Sequence, residues 1–226
     1  MQLRLIAKKT VWWPTWLGWL CIALLAILLP VAILLRAYPF LAVTCPVEAN
    51  ILVVEGWLPS YALRFAQEEF RRRPYEYVVA GGGTVSTGSI AWEQKTYAAI
   101  ASRTLVQLGI PPDKVIEAPA PASFRYRTLM STKGVHDALE NRGIKVKGLN
   151  VISLGAHSRR SLTVYRRVFG PGIKVGMISC ATLDYDAARW WASSEGTKEL
   201  ITEAIGWLHE SLVGAGDTAI RGSETR

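Results

Sequence analysis

The fold of this chain is indicated most clearly by one stretch of sequence, Leu149-Asn150-Val151-Ile152-Ser153-Leu154-Gly155-Ala156-His157-Ser158-Arg159-Arg160. Its first part, Leu149 to Leu154, is a short, mostly apolar run, as expected for a strand that is buried on both faces. Gly155-Ala156-His157 breaks the run, and a helix is predicted from Ser158 to Phe169, where Gly170 ends it. A buried strand that leads directly into a helix is a building unit of parallel α/β sheets.

The same alternation of strands and helices extends over residues 51–213. Strands are predicted at 51–54, 77–80, from 115 onward, at 149–154 and at 173–178, and helices at 60–72, 92–108, 128–141, 158–169 and 195–213. Strands separated by helices predict βαβ crossovers. We therefore expect one α/β domain over residues 47–213, with a Rossmann-like, mostly parallel sheet and helices on both faces. The small, polar tail at 214–226 is predicted to be disordered.

A long apolar segment precedes this domain. Thr10 to Leu35 carry no charge, and about 20 apolar residues are enough for a helix to span the hydrocarbon core of a bilayer. Aromatic residues flank the segment, as they do at membrane interfaces. We predict one transmembrane helix at 16–36 and a linker at 37–46. The alternative is a buried core helix, but such helices are rarely this long and this free of polar residues.

The distribution of cationic residues predicts the orientation of this span. Arg4, Lys8 and Lys9 precede it, whereas only Arg36 follows before Glu48. By the positive-inside rule, residues 1–15 lie in the cytoplasm and the α/β domain lies outside a bacterial plasma (inner) membrane. A cleaved signal peptide is the alternative, but its apolar region is normally only about 7–15 residues long.

The net charge of +8 at pH 7 raises the question of a nucleic-acid partner. The arginine clusters fall in different predicted elements, and no zinc-finger or RNA-binding motif accompanies them, so we expect no nucleic acid. A basic domain outside the membrane suits anionic lipid headgroups or phosphorylated envelope precursors better. Cys45 and Cys180 lie at opposite ends of their predicted strands, and we assign no disulfide.

Ligands of doubly wound folds bind beyond the carboxyl ends of the strands. Four groups of residues fall there: a carboxylate, a glycine loop, a basic loop and a cluster of histidine and arginine. They are Glu55; Gly81, Gly82 and Gly83; Arg127 and Thr128 within the segment 123–128; and His157, Arg159 and Arg160. We expect these groups to converge on one cleft.

The residue types in this cleft predict an anionic ligand. His157 opens a helix, where backbone N–H groups favour an anion, and Arg159 and Arg160 would add positive charge. Glu55 and His157 would form a catalytic acid/base pair if the first and fourth strands adjoin. The simpler alternatives are that the arginines are solvated helix residues and that Glu55 only pairs with an arginine. The spacing of the histidines predicts no metal site.

Several segments resemble the YdcF/SanA/ElyC-like family: Ile51–Gly56, Val79–Gly83, Leu105–Pro111 and, most specifically, Val151–Arg160. In the last segment, His157-x-x-Arg160 is similar to the family's histidine followed three residues later by arginine. The resemblance covers about residues 50–180. It departs from the family pattern at Thr96-Tyr97-Ala98 and at Thr128-x-x-Ser131, where the family has Ser-Glu-Ala and Thr-x-x-Asn, so the chain would be a divergent branch.

This resemblance implies a Rossmann-like domain that acts in envelope integrity and in peptidoglycan or lipid-carrier metabolism. We therefore expect a membrane-anchored extracytoplasmic domain that binds or processes an anionic, phosphorylated or glycosylated envelope precursor, with its cofactor unknown. The alternatives are a non-catalytic envelope scaffold and a protein that binds S-adenosylmethionine or a nucleotide. The resemblance implies binding of S-adenosylmethionine, because YdcF is reported to bind this cofactor. S-adenosylmethionine is, however, not expected outside the cytoplasm.

The last predicted helix carries an apolar stripe at helical spacing: Leu200, Ile201, Ala204, Ile205, Leu208 and Leu212. We expect this stripe to pack on the sheet, with Glu199, Glu203 and Glu210 facing solvent. The alternative is a membrane-interface or partner-binding surface, for which the nearby Trp190, Trp191 and Trp207 would be suited.

Overall fold

The computed structural model describes residues 12–85, 96–120, 123 and 126–214. The chain divides into two units, Met1–Arg36 and Ala37–Arg226, which are described separately. Helix α1 (Trp16–Leu41) supplies most of the described part of the first unit and continues past Arg36, the predicted end of the span. Among the described residues, α1 is the one helix long and apolar enough to cross a membrane; its most apolar window has a mean hydropathy of 2.7 and no buried residue.

The second unit contains a five-stranded, all-parallel sheet with helices between the strands. The strands are β1 (Ile51–Glu55), β2 (Tyr77–Gly82), β3 (Val115–Pro119), β4 (Gly148–Leu154) and β5 (Lys174–Cys180). The helices are α2 (Ser60–Arg72), α3 (Tyr97–Gln107), α4 (Arg127–Asn141), α5 (Ser158–Phe169) and α6 (Ser194–Leu212). The predicted α/β fold is confirmed.

The strand order in the sheet is β3-β2-β1-β4-β5. The chain therefore builds one half of the sheet outward from β1 and then returns to place β4 on the other side of β1. Val53 of β1 is paired with Val79 of β2 and with Val151 of β4. The order reverses between β1 and β4, and ligands of doubly wound folds bind at this kind of position.

The central strands are apolar because helices cover both faces of the sheet. All five residues of β1 and all seven of β4 are buried. On one face, Leu52 and Val54 pack in a cluster with residues of α2 and α3. On the other face, Val53 and Val151 pack with residues of α4 and α5. Burial on both sides explains why these strands are mostly apolar and do not alternate between apolar and polar residues.

Glycines end three helices as the sequence predicts. Gly109, Gly143 and Gly170 follow α3, α4 and α5, and all three have positive φ angles. Residues with side chains rarely adopt this conformation, so a glycine fixes the point at which each helix stops. Residues 92–95 of the predicted third helix, and nearly all of the predicted tail at 214–226, lie outside the described residues.

The predicted linker at 37–46 takes part in the fold of the second unit. Cys45 forms an antiparallel bridge with Met177 at the free edge of β5. Farther along, the backbone of Val47 is held by the side chain of Asn150, whose amide both accepts from the Val47 N–H and donates to the Val47 carbonyl. These contacts supply hydrogen-bond partners at an edge that would otherwise be open.

The orientation of α6 differs from the sequence prediction. Leu200 is buried, but Ile201, Ile205, Leu208 and Leu212 are all at least half exposed. The buried side of the helix instead carries Glu203 and Glu210. The prediction that the apolar stripe packs on the sheet is therefore wrong, because the side of α6 that faces the domain carries Glu203 and Glu210.

Two ion pairs attach α6 to α5. Arg160 is bound to Glu203 and Arg167 to Glu210, each with a shortest distance of 2.8 Å between nitrogen and oxygen. Both pairs join residues that are 43 positions apart in sequence. The two helices therefore run in the same direction, with matching residues two turns apart on facing sides.

We predict that α6 depends on its buried acids more than on its apolar stripe. Glu203→Ala should lower the free energy of unfolding by about 3 kcal/mol, because it leaves the guanidinium of Arg160 unpaired in a largely buried site. Leu212→Ala, at a residue that is 72% exposed, should change the same free energy by less than about 0.5 kcal/mol. Denaturant unfolding of the detergent-solubilised chain measures both values. A larger loss for Leu212→Ala than for Glu203→Ala would contradict this account of α6.

Candidate functional site

A cavity of about 800 Å³ lies at the carboxyl ends of the central strands. Residues from the ends of β1, β2 and β4 line it, together with the N-terminal turn of α4 and one side of α6. Because β1 and β4 are neighbours, the cavity lies where the strand order reverses. Its volume is in the range typical of small-molecule sites.

Glu55, the last residue of β1, is the buried carboxylate of this cavity and is only 4% exposed. Two hydroxyl groups donate to it, that of Ser153 on β4 and that of Ser161 on α5, each at 2.6 Å. A buried carboxyl group without partners would be unfavourable, and these two short hydrogen bonds satisfy one oxygen each. Glu55 is thus held in one position with an edge that faces the cavity.

His157 lies beside Glu55, as the sequence predicts for adjoining first and fourth strands. Its Nε2 atom is 3.8 Å from Oε1 of Glu55, and its Nδ1 atom is 3.1 Å from Oε1 of Glu203. The ring of Trp57 packs edge-to-face on the imidazole, with 5.1 Å between ring centroids. The position of His157 depends on Gly155, whose positive φ turns the chain sharply after β4.

Arg160 lies one helical turn after His157 and joins the cavity to α6. Its guanidinium forms two hydrogen bonds with Glu203, at 2.8 and 3.0 Å, and a longer one, at 3.3 Å, with the hydroxyl of Thr128. Burial alone would raise the pKa of Glu203, but hydrogen bonds from His157 and Arg160 lower it to about 2. Burial opposes the charged form of Arg160, yet the hydrogen bonds to Glu203 raise its pKa. Both groups are therefore charged at neutral pH and neutralise one another.

The Nδ1 atom of His157 has two neighbours of opposite kinds. Nη2 of Arg160 lies at 2.9 Å and can only donate, whereas the carboxylate of Glu203 can only accept. A proton on Nδ1 is therefore bound by Glu203, and a bare Nδ1 is bound by Arg160. Since both tautomers have a partner, the imidazole can exchange a proton at Nε2 without losing its orientation.

A second wall of the cavity is formed by the start of α4. Tyr126, Arg127 and Thr128 all line the cavity. Tyr126 has a left-handed backbone conformation with φ of 55°, and its side chain does not cap the helix. Bulky residues rarely adopt this conformation, and such residues concentrate at functional sites. A helix N-terminus together with the cationic Arg127 gives this wall an affinity for anions.

The predicted glycine loop is explained largely by close packing. A Cβ atom on Gly81 would lie 2.5 Å from a methyl group of Val135, and one on Gly82 would lie 2.7 Å from the Cβ atom of Tyr97. Only Gly82 and Gly83 of the three line the cavity. These glycines therefore let α3 and α4 approach the end of β2, which brings Tyr97 to the cavity wall.

Arg159 lies apart from the other predicted site residues. Its guanidinium packs over the ring of Phe40, 3.9 Å from the centroid, and its Nε atom donates to the Phe40 carbonyl. Arg159 does not line the cavity, whereas Arg160 does. Consecutive residues of a helix point about 100° apart, so the two neighbouring arginines serve different sides of α5.

Outside the cavity, one group of described residues brings metal-ligating atoms together. Atoms of His136, Asp137 and Glu140 lie within 4.8 Å of one another on the surface of α4. The distances from His136 Nδ1 to the two carboxylates, 3.5 and 3.7 Å, also fit ordinary ion pairs within one helical turn. None of the three residues lines the cavity.

The sequence reasoning missed three polar residues that complete the site: Ser153, Ser161 and Glu203. Ser153, like Asn150, is a polar residue in the fully buried strand β4, and a buried polar residue is a signal of a specific hydrogen-bond partner. Glu203 and Glu210 are seven residues apart on α6, and Arg160 and Arg167 have the same spacing on α5. This matched spacing predicts two helices that are joined by ion pairs, and it would have placed Glu203 at the site.

No protein-family model and no curated protein matches this chain. The resemblance to the YdcF/SanA/ElyC-like family therefore stays a prediction that rests on the residues quoted for it. Both positions at which the chain departs from the family pattern contribute to the cavity, since Tyr97 and Ser131 line it.

The arrangement can bind an anion on one wall and transfer a proton on the other. Arg127 and the start of α4 favour negative charge, while His157 presents Nε2 beside the fixed carboxylate of Glu55. A histidine that is oriented through Nδ1 and exposes Nε2 can act as a general base or acid. Arg160 already pairs with Glu203, so its role in this geometry is to orient His157 rather than to bind the anion directly.

Glu199, which lies near His157, makes the stability of the fold depend on pH. The backbone N–H of Ala156 donates to its carboxyl group, but burial, together with the nearby carboxylate of Glu203, raises the pKa of Glu199 above its ordinary value of 4.5. A raised carboxyl pKa means that the folded protein binds the proton more tightly than the unfolded chain. Stability is therefore lost as the pH rises above 4.5 and Glu199 ionises.

We predict that Glu199→Gln raises the melting temperature near pH 8 and leaves it nearly unchanged at about pH 4, because the variant cannot ionise. Glu195→Gln is the matched control on the same helix. Hydrogen bonds at the start of α6 lower the pKa of Glu195, so its substitution should not stabilise the protein at either pH. Thermal unfolding across this pH range measures both variants. An equal gain for Glu199→Gln at both ends of the range would contradict the assignment.

Proposed function

We propose that this protein is a membrane-anchored domain that binds and processes an anionic, phosphorylated or glycosylated precursor of the cell envelope. The observation that carries the proposal is the cavity in which a buried Glu55–His157 pair faces the basic start of α4. The reaction class that fits these groups is hydrolysis or transfer at the phosphorylated or glycosylated end of the precursor, with proton transfer by His157.

In the proposed reaction, Arg127 and the N-terminal turn of α4 bind the negative charge of the substrate. His157 takes a proton at Nε2 from the attacking water or hydroxyl group and returns it to the leaving group. Glu55 accepts a hydrogen bond from the substrate or from His157 and stabilises the imidazolium that forms. Arg160 and Glu203 hold the imidazole ring in place through Nδ1.

Chemical complementarity also supports an anion rather than a cation as the ligand. The two acids of the cavity already have hydrogen-bond or ion-pair partners. Glu55 accepts from two hydroxyl groups, and Glu203 is paired with Arg160 and His157. Arg127, which also lines the cavity, is exposed and carries a positive charge that the two acids do not neutralise through any hydrogen bond or ion pair among the described residues. This charge favours a ligand with phosphate or carboxylate groups.

The proposed location follows from α1 and from the charges around it. Its apolar residues are numerous enough to span a bilayer. Three cationic residues, Arg4, Lys8 and Lys9, precede the span, and only Arg36 follows before Glu48. We therefore propose that the protein is held in a bacterial plasma membrane with the α/β domain on the extracytoplasmic side. Such a location gives the domain access to envelope precursors.

We predict that Arg127→Ala weakens binding of an anionic probe at least tenfold, because a charge-assisted hydrogen bond contributes about 1.5–3 kcal/mol. Isothermal titration of the detergent-solubilised full chain with a polyprenyl phosphate and with a nucleotide sugar measures this effect. Glu55→Gln keeps the shape of the side chain, so it should leave binding nearly unchanged while it abolishes release of phosphate or sugar from the bound probe.

His136→Ala is the matched control, since His136 lies on α4 with Arg127 but does not line the cavity. It should change neither binding nor turnover. The variant Arg160→Ala is unsuitable as a test because it also breaks the attachment of α6. Equal binding by the original chain and Arg127→Ala, or unchanged turnover in Glu55→Gln, would overturn the proposed role of the site.

We predict a second outcome for the proposed location. A phosphatase that is fused after Arg226 and is active only outside the cytoplasm should be active, because the positive-inside rule places the domain outside. A fluorescent protein that folds only in the cytoplasm should stay dark at the same fusion point. The reverse pattern would overturn both the location and the class of substrate.

A further inference from the structure

Helix α6 presents an apolar stripe that the other described residues of the domain leave exposed. Ile201, Ile205, Leu208 and Leu212 are 53%, 64%, 50% and 72% exposed. With 100° between successive residues, these four positions lie on the side of the helix opposite Glu203 and Glu210. A surface helix normally turns such a stripe toward the core, so the reversed orientation marks a surface that has another partner.

The charges of α6 indicate what kind of partner this is. The acidic residues of α6 are Glu195, Glu199, Glu203 and Glu210, and only Glu195, in the first turn beside Lys198, is exposed. Glu203 and Glu210 are buried and paired with Arg160 and Arg167. The exposed side carries Lys198 and His209 beside the apolar stripe. From Ile201 to Leu212 the exposed side carries the apolar stripe and no acidic residue. Such a side can insert at an anionic lipid surface without bringing carboxylates to the headgroups.

A residue that follows the predicted span along the chain contacts α6. Phe40 packs edge-to-face on Trp207 of α6, with 5.0 Å between ring centroids. Phe40 is four residues after Arg36, the predicted end of the span, and four residues reach at most about 14 Å. The part of α6 around Trp207 therefore contacts the segment of chain that directly follows the predicted span.

We propose that α6 lies at the surface of the membrane, with Ile201, Ile205, Leu208 and Leu212 inserted at the boundary between headgroups and acyl chains. This inference rests on the membrane anchoring proposed above and adds a second, amphipathic contact with the same bilayer. Anionic phospholipid is the partner, bound mainly by apolar insertion of the stripe. Ile205 also lines the cavity, so the mouth of the cavity opens at the level of the headgroups.

The test uses the full chain in vesicles of equal parts phosphatidylethanolamine and phosphatidylglycerol. Cys21 and Cys45 are replaced by serine, while Cys180 is buried and stays. A spin label is attached at Leu208→Cys or, as the control, at Asp113→Cys, an exposed position before β3. Collision of the label with oxygen, which concentrates in lipid, is compared with collision with a water-soluble nickel chelate.

The proposal expects the label at position 208 to collide more with oxygen than with the nickel chelate, and the label at position 113 to show the reverse. In a second variant, Ile205→Asp is added to the label at position 208. This exposed substitution should leave the melting temperature unchanged and move the label into water. A label at position 208 that meets the nickel chelate freely would overturn the proposal, and a label shielded from both reagents would do so as well, because it would show a second copy of the chain on the stripe.

A label on the native Cys21 separates this inference from the anchoring on which it rests. If Cys21 is in lipid while position 208 is in water, the span is correct and the surface contact of α6 is wrong. If Cys21 itself is in water, the anchoring fails and the inference fails with it.

Discussion

The buried ion pair between Arg160 and Glu203 is the interaction on which the site and the last helix both depend. Removing two charges from water is unfavourable unless their hydrogen bonds are satisfied in the folded protein. Here Arg160 binds both oxygens of Glu203, reaches Thr128 on α4, and lies against Nδ1 of His157. One guanidinium therefore links three helices and fixes the ring that faces the cavity.

This interaction explains the reversed orientation of α6. Once Glu203 and Glu210 are drawn toward the arginines of α5, the opposite, apolar side of the helix must face outward. The arrangement would be a liability for a domain surrounded by water, because a continuous apolar stripe promotes aggregation. It is suited to a domain that a short chain segment holds beside a bilayer. The Arg160–Glu203 pair, together with Arg167–Glu210, thus anchors α6 and turns its apolar side outward. The same Arg160 also fixes the position of His157.

The sequence predicted the sheet and part of the site for identifiable reasons. Apolar runs bounded by glycine and proline located all five strands, and positive φ angles at Gly109, Gly143 and Gly170 confirm the predicted helix ends. Glu55 and His157 were predicted to adjoin because parallel strands end at the same edge of a sheet. The pairing of β1 with β4 is what brings their side chains within 3.8 Å.

The orientation of α6 and the different roles of Arg159 and Arg160 could not be predicted, because hydrophobic patterning does not show which distant residues pair with each other. The stripe on α6 has the usual pattern of a core-facing helix, and its partner could not be identified from that helix alone. The deciding signal was the matched seven-residue spacing of Arg160 and Arg167 with Glu203 and Glu210, which only becomes visible when two distant segments are compared. The separation of Arg159 from Arg160 likewise depends on Phe40, far away in sequence.

The central claim is that the ion pair between Arg160 and Glu203 holds α6 and the site together. A double-mutant cycle with Arg160→Met and Glu203→Gln is its most direct measurement. We predict a coupling free energy of about 2 kcal/mol for this pair, against less than about 0.5 kcal/mol for the exposed pair of Arg189 and Asp186. Equal and negligible coupling in both pairs would contradict the account.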